Sequence, residues 1–168
     1  MKKQLAWFVF VICLLVGAVS CKKDKDEQDE RLLNRKNKEA GEQFLIDNAG
    51  QNGVKLTSSG LQYKIEASGT GIRPFLEDSV NVTYTGKLID GTVFASATNE
   101  GMLLARQIAG FREGLLLMPV GSTHTLFIPY YLAYNASSRT VNHDGKAVLI
   151  RPFSVLIFEV TLNRVMRN

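Results

Sequence analysis

Ala109-Gly110-Phe111-Arg112-Glu113-Gly114-Leu115-Leu116-Leu117-Met118, closed by Pro119-Val120-Gly121, is the stretch that decides the fold class. Phe111, Leu115 and Met118 fall at helical spacing, and the proline and glycine that follow stop the helix. The segments on either side keep a period of two. Before it, Leu61, Tyr63 and Ile65 alternate with polar neighbours, as do Val80, Val82 and Tyr84, and Asp90-Gly91 is a turn between Leu88 and Val93-Phe94. After it, Thr123, Thr125 and Phe127 alternate. In the last strand Leu156, Phe158, Val160 and Leu162 mark one face, with Glu159, Thr161 and Asn163 on the other. Strands interrupted by one helix predict an α+β domain, an antiparallel sheet folded over that helix. No internal repeat is visible.

Upstream, Leu32 to Asn48 predicts a second helix, with Leu33, Ala40 and Phe44 on one face, Leu45 and Ile46 widening it, and Gly50 and Gly53 ending it. That face is expected to pack on the main domain, with a dimer contact as the alternative; a monomer is expected. Lys22 to Arg31 (KKDKDEQDER) has no apolar residue and reads as a solvated tether. Before it, Lys2 and Lys3, an apolar run of 12 residues from Leu5 to Val16, and Gly17-Ala18-Val19-Ser20 have the layout of a secretory signal. A permanent span needs roughly 20 apolar residues. Ala18-Val19-Ser20-Cys21 resembles the lipobox of bacterial lipoproteins, which implies lipid attachment at Cys21, although Ala18 stands where leucine is usual. A simple signal peptide with a stray cysteine is the alternative. The expected organisation is a signal peptide over 1–20, a tether over 21–31, a helix over 32–53 and the main domain over 54–168.

Composition narrows the chemistry. At 45% hydrophobic and 21% charged residues, a packed core is expected. Of 20 basic residues two are Lys2 and Lys3, leaving 18 against 16 acidic ones, which is no basis for nucleic-acid binding. On the expected organisation Cys13 would leave with the signal and Cys21 would be consumed by lipid, which leaves the folded part no thiol for a disulfide, a metal or nucleophilic catalysis. His124 and His143, the only histidines, have no ligand-like spacing to a partner, and no metal or other cofactor is expected. Gly69-Thr70-Gly71 is followed by neither a helix nor a Lys-Ser/Thr pair, so it is not a phosphate loop.

Several ordered segments together resemble the FKBP-type peptidyl-prolyl cis-trans isomerases. They are Ser59-Gly60-Leu61-Gln62-Tyr63, Gly69-Thr70-Gly71, Val80 to Gly86 (VNVTYTG), Asp90-Gly91-Thr92-Val93-Phe94, Ile108 to Leu115 (IAGFREGL), Met118 to Gly121, Ile128-Pro129 with Ala133-Tyr134, and Leu156 to Val160 (LIFEV). They cover Val54 to Val165. The resemblance implies a twisted antiparallel sheet wrapped round one short helix, preceded here by the N-terminal helix. It also implies a proline-binding pocket. Tyr84 and Phe94 match wall positions, and Ile108 matches the residue whose backbone N–H receives a substrate carbonyl. Phe111 takes the place of the tryptophan that usually floors the pocket. Tyr134 matches the tyrosine whose hydroxyl contacts the peptide, and Phe158 matches a wall aromatic. On pattern alone, Tyr84, Phe94, Phe111 and Phe158 read equally well as core residues.

This chain departs from the family pattern at four places. Ala95 stands where an aspartate is usual. Phe111 replaces the tryptophan. The stretch from Ser96 to Gln107 lacks a usual aromatic, for which Met102 is the nearest apolar stand-in on the pocket rim. Asn135 to Lys146 replaces the usual loop, with Leu149 and Ile150 expected at the rim. Asn135 stands in a glycine position, and asparagine tolerates positive φ well enough for the turn to persist. The implied function is isomerisation of prolyl bonds in exported proteins, with proline-containing polypeptides as substrates. The implied place is the cell envelope, attached to the membrane through the N-terminal lipid and facing the periplasm or the cell surface. The alternatives are a catalytically weak proline-peptide-binding chaperone and an envelope assembly lipoprotein.

Overall fold

The computed structural model describes residues 2–167, with side chains from Lys25 onward. Signal-peptide cleavage and lipidation of Cys21 fall on side chains outside the described residues. The chain divides into two units, Met1–Lys36 and Asn37–Asn168.

The first unit is helical. Helix α1 runs over Lys2–Ala49 and so begins well before Leu32, taking in the charged run expected as a tether. Lysine, glutamate, glutamine and arginine are good helix formers, and Arg31 pairs with Glu27 one turn back at 2.7 Å. Lys25 to Leu33 are all exposed, so this segment is solvated as expected but helical.

In the second unit the end of α1 is followed by β1 (Val54–Leu56), β2 (Gln62–Ala67), β3 (Ser79–Leu88), β4 (Val93–Leu103), α2 (Ala109–Leu116), β5 (Thr123–Ile128), β6 (Arg139–His143), β7 (Lys146–Ile150) and β8 (Leu156–Met166). Six strands form one sheet in the order β1-β2-β5-β8-β3-β4, and every pairing is antiparallel. The α+β expectation, a sheet wrapped round one short helix, is what the structure contains. Leu61, Val80, Val82, Leu115, Met118, Leu126, Ile128, Leu156, Val160 and Leu162 are completely buried between sheet and helix. Each such side chain contributes roughly 1.5–3 kcal/mol by leaving water.

Two faces differ from the sequence reading. In β5 the inward residues are His124, Leu126 and Ile128, while Thr123, Thr125 and Phe127 lie on the other face. Phe127 is not solvated there, because its ring meets Phe44 of α1 at 6.1 Å between centroids. A central strand covered on both sides loses the simple alternation that locates its inner face. On α1, Leu33, Ala40 and Ile46 are exposed, and Asn37, Gly41, Phe44, Leu45 and Asn48 make the packed stripe. Two of these are polar, and like the rest of the stripe they belong to the second unit, where each bonds another segment of it. Asn37 Nδ2 donates to the Pro152 carbonyl at 2.6 Å, and Asn48 Nδ2 donates to Gln62 Oε1 at 2.8 Å. Gly41 sits against Val155, where a Cβ would come within 2.9 Å of Val155 Cγ2. Hydrophobicity alone cannot mark a stripe built on asparagine and glycine.

Asn135 to Lys146, expected as a loop, is mostly the hairpin β6–β7, a separate two-stranded sheet turned at Asp144-Gly145 with φ of 51° and 75°. Asp-Gly at two positive φ values is the turn that matches strand twist. Asn135 adopts φ 55°, so the glycine-like turn persists as expected.

Candidate functional site

An open cleft of about 360 Å³ lies where α2, β3, β4, β8 and the β6–β7 hairpin converge. Its floor is aromatic. Phe158 on β8 is the hub: its ring centroid is 4.7 Å from Phe111 on α2, 5.4 Å from Phe94 on β4 and 6.0 Å from Tyr84 on β3. Tyr84 meets Phe111 edge-on at 5.9 Å. Phe94, Phe111 and Phe158 are 4%, 3% and 7% exposed, so each ring is part of the core and shows only one face or edge to the cleft. The same rings are thus core by burial and cleft lining by position.

Backbone geometry permits this crowding. Gly86 on β3 lies opposite Ala95 and Phe158, and a Cβ there would stand 2.8 Å from both Phe158 Cε1 and Phe94 Cζ. The β3–β4 ladder also carries bulges between Val82 and Tyr84 and between Gly86 and Lys87. Bulges add twist and re-aim side chains. The first is pinned by Asn163, whose Nδ2 reaches Asn81 Oδ1, Thr83 Oγ1 and Asn99 Oδ1 at 2.9–3.0 Å.

Polar groups occupy the rim. Ile108 caps α2 at φ −56° and ψ 148°, lines the cleft, and its backbone N–H has no acceptor among the described residues. Tyr134 follows the 3-10 turn Tyr130–Leu132 and lines the opposite side, with Arg139 Cζ 5.0 Å from its ring centre. The Tyr84 hydroxyl donates to Glu100 Oε2 at 3.1 Å. Burial of the ring, then the Glu100 carboxylate, pushes the Tyr84 hydroxyl up to about 12.

Seven residues expected at the pocket line this one cleft: Tyr84, Phe94, Ala95, Ile108, Phe111, Tyr134 and Phe158. Met102 does not. It pairs with Val80 toward the far end of β3 and packs on the core from there. Ile150 is fully buried in the core, because it ends β7 opposite Arg139 and points inward. Leu149 belongs to a separate hollow of about 200 Å³ beside Asn37, Asp90 and Arg151. A hairpin in place of a loop puts both residues away from the rim. Arg106, Gln107, Arg139 and Val141 complete the lining and were not anticipated. The Asp144-Gly145 turn is the signal for the last two, since it puts Arg139 and Val141 on one face of a strand.

The lining contains no thiol, imidazole or carboxylate. Its means are an apolar floor, aromatic edges and hydrogen-bond donors at the rim, which suit binding and reshaping a peptide without covalent attack.

Comparison with known proteins agrees with this geometry. Residues 71–163 match the family model of the FKBP-type peptidyl-prolyl cis-trans isomerase, and residues 16–65 match that of the domain amino-terminal to it. The chain belongs to the FKBP-type peptidyl-prolyl cis-trans isomerase family. It is 43% identical over 133 residues to the probable FKBP-type isomerase FkpA of Neisseria meningitidis, covering 77% of this chain and 46% of that protein. It is 43% identical over 130 residues to the FKBP-type 22 kDa isomerase of Escherichia coli, covering 75% of this chain and 60% of that protein. Among solved structures, FkpA from Escherichia coli superposes with a TM-score of 0.78 at 30% identity, over 93% of this chain and 72% of that one. The chain spans about half the length of the curated relatives it matches.

Proposed function

We propose that this chain is a peptidyl-prolyl cis-trans isomerase that acts on proline-containing segments of exported proteins, held at a membrane of the bacterial envelope by lipid on Cys21. The observation that carries the reading is the cluster of Tyr84, Phe94, Phe111 and Phe158 round one open cleft, with Ile108 N–H and Tyr134 at its mouth. Family membership supports the activity. The relative named outer membrane protein MIP, of Legionella longbeachae, supports the envelope location.

The chemistry needs no nucleophile. Amide resonance sets a barrier of ~18–20 kcal/mol, and an X-Pro bond turns over unaided in roughly 10–100 s. At the twisted geometry resonance and much of the amide's charge separation are lost. An apolar, water-poor floor therefore favours the twisted form over the flat one, and each ~1.4 kcal/mol of difference gives tenfold in rate. In this reading the rings hold the proline while the preceding residue rotates, and Ile108 N–H and the Tyr134 hydroxyl fix the peptide on either side.

The test is cis-to-trans relaxation of a short X-Pro peptide with the full chain in neutral detergent. Acceleration at micromolar protein is expected; a rate equal to buffer would leave only the binding-module reading. For the anchor, Cys21→Ser is expected to release the protein from membranes, and continued membrane residence would refute lipid attachment.

A further inference from the structure

The cleft is electrically one-sided. Arg106 enters its lining from the 3-10 turn Leu104–Arg106, and Arg139 enters from the first residue of β6. No carboxylate lines it, and Ala95 contributes only a methyl group. The one acid tied to a lining residue is Glu100, and its Oε2 already accepts from the Tyr84 hydroxyl. Among the described residues neither Arg106 nor Arg139 is ion-paired. Both are exposed, so their charges are hydrated and available to an incoming chain. Arg139 is also held in place: its guanidinium lies 5.0 Å from the centre of the Tyr134 ring, at the mouth. A guanidinium held by an aromatic face keeps its fork of N–H donors free for a planar, bidentate acceptor, and a carboxylate is that acceptor.

We propose that the cleft selects acidic substrates, namely polypeptide segments with an aspartate or glutamate beside the proline. This rests on the reading that the cleft takes a proline segment, and it specifies which segments. The rings accept any proline; the two arginines discriminate by what flanks it. Because both charges are exposed, the effect is a preference and not an absolute requirement. A carboxylate about 4 Å from one guanidinium in water gains roughly fivefold, and the second arginine adds a smaller factor. The preference is screened as ionic strength rises.

The experiment uses the full chain in neutral detergent and end-blocked peptides acetyl-Ala-Xaa-Pro-Ala-amide with Xaa as Glu, Gln, Leu or Lys. Affinity is read from peptide line broadening, and isomerisation from exchange between cis and trans resonances. In low salt, the Glu peptide is expected to bind about 5- to 10-fold more tightly than the Gln peptide, with Lys weakest. The advantage falls toward unity at ~1 M salt. The double change R106Q/R139Q removes the Glu-over-Gln ratio, whereas R106K/R139K retains most of it. Equal binding of Glu and Gln peptides at low salt overturns the inference, as does a preference that survives R106Q/R139Q. Exchange on the Gln and Leu peptides without a Glu preference sinks the inference and keeps the isomerase reading. Preferential Glu binding without exchange on any peptide does the reverse. No binding by any peptide rejects both.

Discussion

Tyr84 on β3 and Glu100 on β4 are joined across the sheet by a 3.1 Å hydrogen bond from the tyrosine hydroxyl to Oε2. In register, Glu100 faces Val82 while Tyr84 faces Ala97, so the bulge between Val82 and Tyr84 brings the carboxylate diagonally to the hydroxyl. The bond ties a cleft ring to a charged group outside the lining. Glu100→Gln keeps an acceptor but removes the charge. Tyr84, pushed up to about 12, is expected to titrate lower in the variant while staying above 10, because burial is the larger cause. The difference in tyrosinate absorbance between this variant and its Tyr84→Phe counterpart measures the shift; an unchanged value would show that Glu100 does not sense the ring.

Ala95 leaves the cleft wall without a hydrogen-bonding group beside the Phe94–Phe158 pair. Ala95→Asp is expected to raise kcat/KM for a Leu-Pro peptide on the order of tenfold, the worth of one partly solvated charge-assisted hydrogen bond. A lower or unchanged rate would mean that the new carboxylate is taken by other groups.

Gly86 admits two rings where a methyl group would meet both at 2.8 Å. Gly86→Ala is therefore expected to destabilise the domain by about 1–3 kcal/mol through overpacking, and to weaken peptide binding as Phe94 and Phe158 shift. Denaturant unfolding checks the first effect and peptide titration the second. Wild-type values in both would contradict the observed ring positions.

Asn135 pays for its left-handed φ of 55° less than most residues do. Asn135→Gly is expected to change stability little, whereas Asn135→Val is expected to cost about 1–2 kcal/mol. Thermal unfolding of the pair decides; equal losses would indicate that the Asn135 side chain, not its backbone, matters.

His124 is 2% exposed on the inner face of β5 and its Nδ1 is buried without a partner. Burial above all, then Lys55 and Arg73, depresses its pKa below 6.5. The unfolded chain thus binds the proton more readily. The stability held by neutral His124 is complete above pH 6.5 and is lost as pH falls through the lower folded-state value. His124→Leu is expected to flatten the acid side of the stability profile. An unchanged slope in urea titrations across that range would assign the acid sensitivity to other groups.

The sheet, the short helix and the set of aromatic positions are legible from the amino-acid order. Alternation in β3 and β8, the stop at Met118-Pro119, and the ordered segments from Val54 to Val165 are local patterns that a chain cannot hide. Tertiary structure alone decided which residues share the cleft. Register packs Met102 against the core away from the cleft, and the hairpin buries Ile150 within the core. Arg106 and Arg139 are 33 positions apart and line one cleft only because β4, α2 and the β6–β7 hairpin converge. The packed stripe of α1 was likewise hidden, since Asn37, Gly41 and Asn48 gain their roles from partners on distant segments. Periodicity reports a residue's own preference for water, whereas a site is fixed by what the folded chain brings next to it.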